Sequence, residues 1–140
     1  MEQYLIFRLA DEYYGLLVSF IENIEKMMPI TRVPNTKEYI KGVVNLRGEI
    51  VPVIDLREKI GVKKEEFGEE TRILIVNWKN EFKVGLIIDE VLDVVYLTKE
   101  DFDSATRDRN EFTFSIAKYN NVLINIINLE DVLFEKVEEV

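Results

Sequence analysis

Six carboxylates, Glu22, Glu25, Asp55, Asp89, Glu90 and Asp93, lie in or beside apolar stretches of the chain. Two carboxylates can flank a glycosidic bond, and several together can hold Mg²⁺ through oxygen ligands. Neither chemistry has its usual company here, because no D-x-D-x-D loop and no glycine-rich phosphate cradle accompanies them. Asp55 reads as a helix cap and the others as solvated strand or loop positions. The chain has no histidine and no cysteine. That removes thiol nucleophiles, Ser-His-Asp triads, Cys/His zinc sites and disulfides, and with them the phosphate-accepting histidine of a two-component relay. No cofactor and no metal is expected.

Arg47 has the most distinctive setting among the cations. It precedes Gly48 at the head of "EIVPVIDL" (49–56), the most apolar run of the chain. As a turn residue it would pair loosely with Glu49, a contact worth under ~1 kcal/mol, while its stem covers apolar surface. As a recognition residue it would stand on a rigid glycine turn, its planar fork free to bond and stack at once. Gly48 is expected at positive φ, and Pro52 implies an edge strand or a bulge. Lys26, Arg32, Lys41 and Arg57 read as scattered surface charges. In "FIENIEKMMPITRVP" (20–34), Ile21, Ile24, Met27, Met28, Ile30 and Val33 have little polar relief. Some must line a seam; where it stays open, the seam becomes a groove for an amphipathic helix, with adaptable methionines on its wall.

The elements that position these residues come in two copies. "YGLLVSFIENI" (14–24) lies over "VGLIIDEVLDV" (84–94) at an offset of 70, and "YLIF" over "ILIV" (73–76) at 69. "RGEIVPVIDLREKI" (47–60) lies over "NNVLINIINLEDVL" (120–133) at 73. Three blocks in the same order indicate a tandem duplication with approximate halves 1–68 and 69–140, able to exchange strands or the terminal helix. Short β-branched and aromatic runs between turn signals predict strands. Asp55 to Glu58 and Asn128 to Asp131 are N-cap signatures for short helices, the first stopped by Gly61. A further helical turn is expected from Asn35 to Glu38, and a helical tail from Leu129 to Val140 packing back on a barrel. The segment 20–28 fits helix and strand about equally. The expected class is all-β with short helices: two small barrels packed on a shared apolar seam, because a half this size is marginal alone.

Composition narrows the function. A net charge of −9 disfavours nucleic acid and anionic membrane surfaces as partners. No apolar run approaches the ~20 residues of a membrane span, and the N-terminal segment has neither a basic start nor a small-residue cleavage site. A cytoplasmic protein without membrane insertion is expected.

The string "NTKEYIKGVVNLRGEIVPVIDLREKIG" (35–61) closely resembles the signature segment of the chemotaxis coupling protein family, CheW. The resemblance extends to "EYYGLLVSFIENI", "FKVGLIIDEVLDVVYL" and "VLINIINLEDVL", and so covers nearly the whole chain. It implies two SH3-like β-barrels and a non-catalytic adaptor that joins methyl-accepting chemoreceptors to the histidine kinase CheA in membrane-associated arrays. The receptor groove between the barrels would use Arg47, with Leu46 and Gly48 beside it, and Ile21 with its duplicate Val91. Lys41 and Gly42 would lie near the kinase contact. Asn23 stands where many relatives carry glutamate, which puts a salt bridge there in question. The same domain occurs in CheA and CheV; this chain has its own initiator Met and no room for a receiver or ATP-binding domain, which favours a stand-alone adaptor. On residues alone two other readings stay open: a carboxylate-dependent enzyme using Asp55 or Asp89 on a sugar or phosphate, and a barrel enclosing a small ligand.

Overall fold

The computed structural model describes residues 1–102 and 113–134. The strands are β1 (Glu2–Leu9), β2 (Glu12–Leu17), β3 (Ile21–Lys26), β4 (Ile40–Leu46), β5 (Glu49–Asp55), β6 (Arg72–Trp78), β7 (Phe82–Ile88), β8 (Glu90–Leu97), β9 (Thr113–Tyr119) and β10 (Val122–Ile127). Two short helices follow β5 and β10: α1 (Leu56–Ile60) and α2 (Leu129–Leu133). Asp55 and Asn128 cap them, each side chain accepting a backbone N–H of the first turn. Gly61, in the left-handed region, ends α1. The all-β class with short helices is what the strand and cap signals predict.

The strands form two five-stranded sheets, ordered β8-β1-β2-β10-β9 and β3-β6-β7-β5-β4. Each sheet takes strands from both halves of the sequence. The first combines β1 and β2 with β8 to β10, and the second combines β3 to β5 with β6 and β7. Isolated bridges, Thr31 with Val43 and Phe102 with Ala117, join each sheet to itself and close it into a barrel.

The duplication is visible in the register. Ile6 faces Gly15 in the first barrel as Ile75 faces Gly85 in the second. The parallel joins repeat too, Ile126 to Gly15 and Val53 to Gly85. Even the register shift recurs, between Ile21 and Asn23 against β6, and between Val91 and Asp93 against β1.

Alternation along the central strands divides their side chains between cores. On β1, Tyr4 and Ile6 fill the first barrel, while Leu5, Phe7 and Leu9 face the seam. On β6, Ile73 and Ile75 fill the second barrel, while Leu74, Val76 and Trp78 face the same seam. Both faces are buried, which explains near-continuous apolar runs such as "ILIV".

One open assignment resolves and two local expectations change. The segment 20–28 resolves as strand β3, because pairing with β6 from Ile21 to Lys26 outweighs its helical period. Asn35 to Glu38 form turns rather than a helical turn. Pro52 lies on neither an edge strand nor a bulge: β5 runs between β7 and β4, but the parallel pairing with β7 starts only at Val53, so no β7 partner needs the N–H that Pro52 lacks. The expected helical tail is described to Leu133, and Phe134 packs edge-on against Trp78 and Phe82; residues 135–140 lie outside the described residues.

Candidate functional site

Arg47 and Gly48 are the two central residues of the turn joining β4 to β5. Their φ values are 52° and 85°. Positive φ at both positions is the type I′ geometry that suits a two-residue hairpin. Asn45 Oδ1 accepts the Gly48 N–H at 2.9 Å and steadies the turn. The matching turn between β9 and β10 carries Asn120 and Asn121, at 49° and 63°, residues that tolerate this conformation. An arginine tolerates it less well, at about 1–2 kcal/mol. Arg47 is therefore strained for the fold's purposes, and its side chain is 71% exposed.

The expected Arg47–Glu49 pairing is not formed. Arg47 Nη2 donates instead to Glu25 Oε1 on β3, at 3.3 Å. Glu49 faces β7 and bonds Lys83, 2.9 Å away, which also reaches Glu22 at 2.7 Å. Closure of the barrel delivers β3 to the hairpin, a neighbour that local sequence does not announce. Asn23 offers no carboxylate, and Glu25, two residues along the same face, provides one to Arg47.

The other expected groove residues are distributed as follows. Ile21 and Val91 are half-buried and pack on the shared core, Ile21 opposite Val76 and Val91 opposite Phe7. A concavity of about 350 Å³ opens beside Ile21, lined also by Phe20, Glu22 and Asn77. Leu46 is 8% exposed and turns into the second barrel's core with Val44 and Val51. Its side chain anchors the hairpin instead of facing the groove.

Lys41 and Gly42 lie near the start of β4, about 14–17 Å from Leu46 at the usual strand rise. Lys41 is not a loose surface charge: its Nζ lies 2.6 Å from Glu58 Oε1 on α1, an oxygen that Lys64 also bonds. Burial alone would raise the Glu58 carboxyl, but these two lysines outweigh it and hold it below the ordinary range. Gly42 has φ of 141°, and a Cβ there would lie 2.0 Å from the Thr31 carbonyl oxygen. The bridge that closes the barrel therefore requires glycine at this position.

The largest departure from the sequence reading is a buried ionic cluster. Arg57 was expected at the surface and Asp89 in solvent, yet their side chains are 2% and 3% exposed. Arg57 donates through Nε and Nη2 to both oxygens of Asp55, at 3.0 and 2.9 Å. Its Nη1 donates to Asp89 Oδ1 at 2.8 Å and to the Glu65 carbonyl at 2.6 Å. Asp89 Oδ2 accepts the Ala10 N–H at 2.7 Å, and nearby Arg8 pairs with Glu90 and Glu65. Burial alone would lower the Arg57 guanidinium; Asp55 and Asp89 outweigh it and hold it above its ordinary value.

The cluster lies where the chain passes from one barrel to the other, joining the ends of β5 and β7 to the β1–β2 turn. A signal was available: Asp89 ends "VGLII", a run with both faces buried, so its carboxylate needed an internal partner. The duplicate positions are Ser19, Asn128 and Glu130, so the second copy of the fold does without the cluster. Asp55 and Asp89 are sealed on one guanidinium and offer no substrate an open carboxylate. Among the described residues no group of three or more acidic side chains could hold a metal ion. The barrel interiors are packed with side chains, against the enclosed-ligand reading.

The model of the CheW-like domain matches residues 3–136. The chemotaxis protein CheW of Bacillus subtilis is 37% identical over 136 residues, covering 94% of this chain and 86% of that protein. CheW of Helicobacter pylori is 35% identical, covering 94% and 81%. The crystal structure of the scaffolding protein TtCheW from Thermoanaerobacter tengcongensis superposes with a TM-score of 0.86 at 36% identity, over 96% of this chain and 93% of that one. Two duplicated barrels and this likeness along nearly the whole length agree: the chain belongs to the CheW family of chemotaxis proteins.

Proposed function

We propose that the chain is a non-catalytic chemotaxis adaptor, cytoplasmic and recruited to membrane-associated arrays, that couples methyl-accepting chemoreceptors to the histidine kinase CheA. The receptor's helical cytoplasmic tip lies along the seam, with Ile21 and Val91 beneath it and Arg47 with Gly48 at the rim. The kinase's regulatory domain meets the other end of β4, near Lys41 and Gly42. Binding both partners raises their effective concentration for one another and couples their states.

The observation that carries this reading is Arg47 itself. Its conformation opposes stability, its side chain is 71% exposed, and the duplicate hairpin folds with asparagine in its place. Strain retained at an exposed site points to a use outside the fold.

The test is titration of the wild-type chain and Arg47→Glu against two purified proteins, a receptor cytoplasmic fragment and the kinase regulatory domain. Arg47→Glu is expected to lose ~2 kcal/mol or more of receptor affinity, as a hot-spot residue does, and to keep its kinase affinity. Unchanged receptor affinity overturns the assignment.

A further inference from the structure

We propose that Lys83 is a positioning residue for the Arg47 hairpin, holding it against β3 through a two-sided ionic clasp; the proposal rests on the reading of Arg47 as a receptor contact. Two carboxylates of β3 take part, one bonded to the hairpin directly and one through Lys83. Glu25 bonds the Arg47 head at 3.3 Å. Glu22 bonds Lys83 at 2.7 Å, and Lys83 bonds Glu49, the first residue of β5, at 2.9 Å. Asn77 on β6 donates to the other Glu22 oxygen at 3.2 Å and fixes that carboxylate. Three strands, β3, β6 and β7, thus converge on the residue next to the turn.

The duplication supplies an internal comparison. At the offsets of 70 and 73, Lys83 corresponds to Tyr13, Glu22 to Leu92, and Glu49 to Val122, while Arg47 and Gly48 correspond to Asn120 and Asn121. The first barrel makes the same positive-φ turn with none of these charges. The clasp is absent where the arginine is absent, so the hairpin fold does not require it. A single exposed ion pair contributes little. A lysine shared by two carboxylates, one of them fixed by an amide, limits the positions open to Glu49 and hence the direction in which Arg47 projects. A long cation on a left-handed residue needs such restraint if its binding geometry is to be present before the partner arrives.

The test uses the full chain with Lys83→Met, which keeps the stem and removes the charge, and Lys83→Arg, which keeps both. Each is titrated against the receptor cytoplasmic fragment and, separately, the kinase regulatory domain, with Arg47→Glu in parallel; exchange of the Gly48 amide is followed by NMR. Lys83→Met is expected to weaken receptor binding roughly 3- to 10-fold, to move kinase binding less than about twofold, and to speed Gly48 exchange. Lys83→Arg restores receptor affinity and protection. If Arg47→Glu loses receptor affinity and Lys83→Met does not, the clasp is decorative and this inference alone falls. If Arg47→Glu is also without effect, the receptor reading falls first and takes this inference with it. Equal losses for both partners on Lys83→Met would mark a general structural role and overturn the proposal.

Discussion

Replacing Arg57 with methionine isolates the buried cluster from every binding question. The substitution keeps most of the stem and removes a cation whose side chain is 2% exposed. Asp55 is left with the Arg57 backbone N–H, and Asp89 with the Ala10 N–H. Four side-chain hydrogen bonds disappear, three of them between opposite charges. Hydrogen bonds to charged groups contribute ~1.5–3 kcal/mol each, but they share one guanidinium and are not additive. Removing one partner of a buried ion pair costs about 3–5 kcal/mol, because the charge left behind has no compensation. In urea, with m of roughly 2 kcal/mol/M for a chain of this size, that is a midpoint shift of about 1.5–2.5 M. Adding Asp89→Asn removes one stranded charge and should recover part of the loss, a coupling of about 1–3 kcal/mol. A shift below about 0.5 M for Arg57→Met, the scale of a surface pair, would mean that water reaches the cluster and would refute its role as the joint between barrels.

Arg47→Asn relieves the left-handed arginine and should leave stability unchanged or raise it by up to ~1 kcal/mol in urea unfolding; a loss beyond 1 kcal/mol would show that the Glu25 pair outweighs the strain. Gly42→Ala drives a Cβ to 2.0 Å from the Thr31 oxygen and disrupts the bridge whose hydrogen bonds are 2.8 and 2.9 Å. A destabilisation of roughly 2–4 kcal/mol is expected by thermal unfolding, and a loss below about 0.5 kcal/mol would show that the bridge tolerates a side chain there. Tyr14 is pushed up to about 12, first by burial and then by the charge and hydrogen bond of Glu12, so in an ultraviolet titration it should ionise late among the tyrosines. Its folded pKa exceeds its unfolded value of 10.0; the stability it contributes is therefore complete below pH 10 and lost as pH rises toward 12. Tyr14→Phe should flatten that alkaline decline, and an unchanged decline would refute the assignment.

How much of this was legible beforehand depends on the distance over which each feature is decided. Alternation, turn residues and caps act over a few residues. The all-β class, the positive φ at Gly48 and the caps at Asp55 and Asn128 could therefore be read from the sequence, and the duplication from self-similarity at offsets of 69 to 73. β3 was ambiguous because its local pattern suited two periods, and only pairing with β6, some fifty residues later, decided it.

The candidate site divides in the same way. Sequence alone determined that Arg47 stands on a tight turn at the head of a strand, and that no histidine or cysteine chemistry exists. Tertiary structure decided that its partner is Glu25 and not Glu49, that Leu46 faces inward, and that Arg57 and Asp89, 32 residues apart, meet in the interior. The physical reason is that a strand's pattern specifies which face is buried but not which strand lies beside it. A charge can be buried only where distant groups compensate it, and those groups are brought together only when both barrels close.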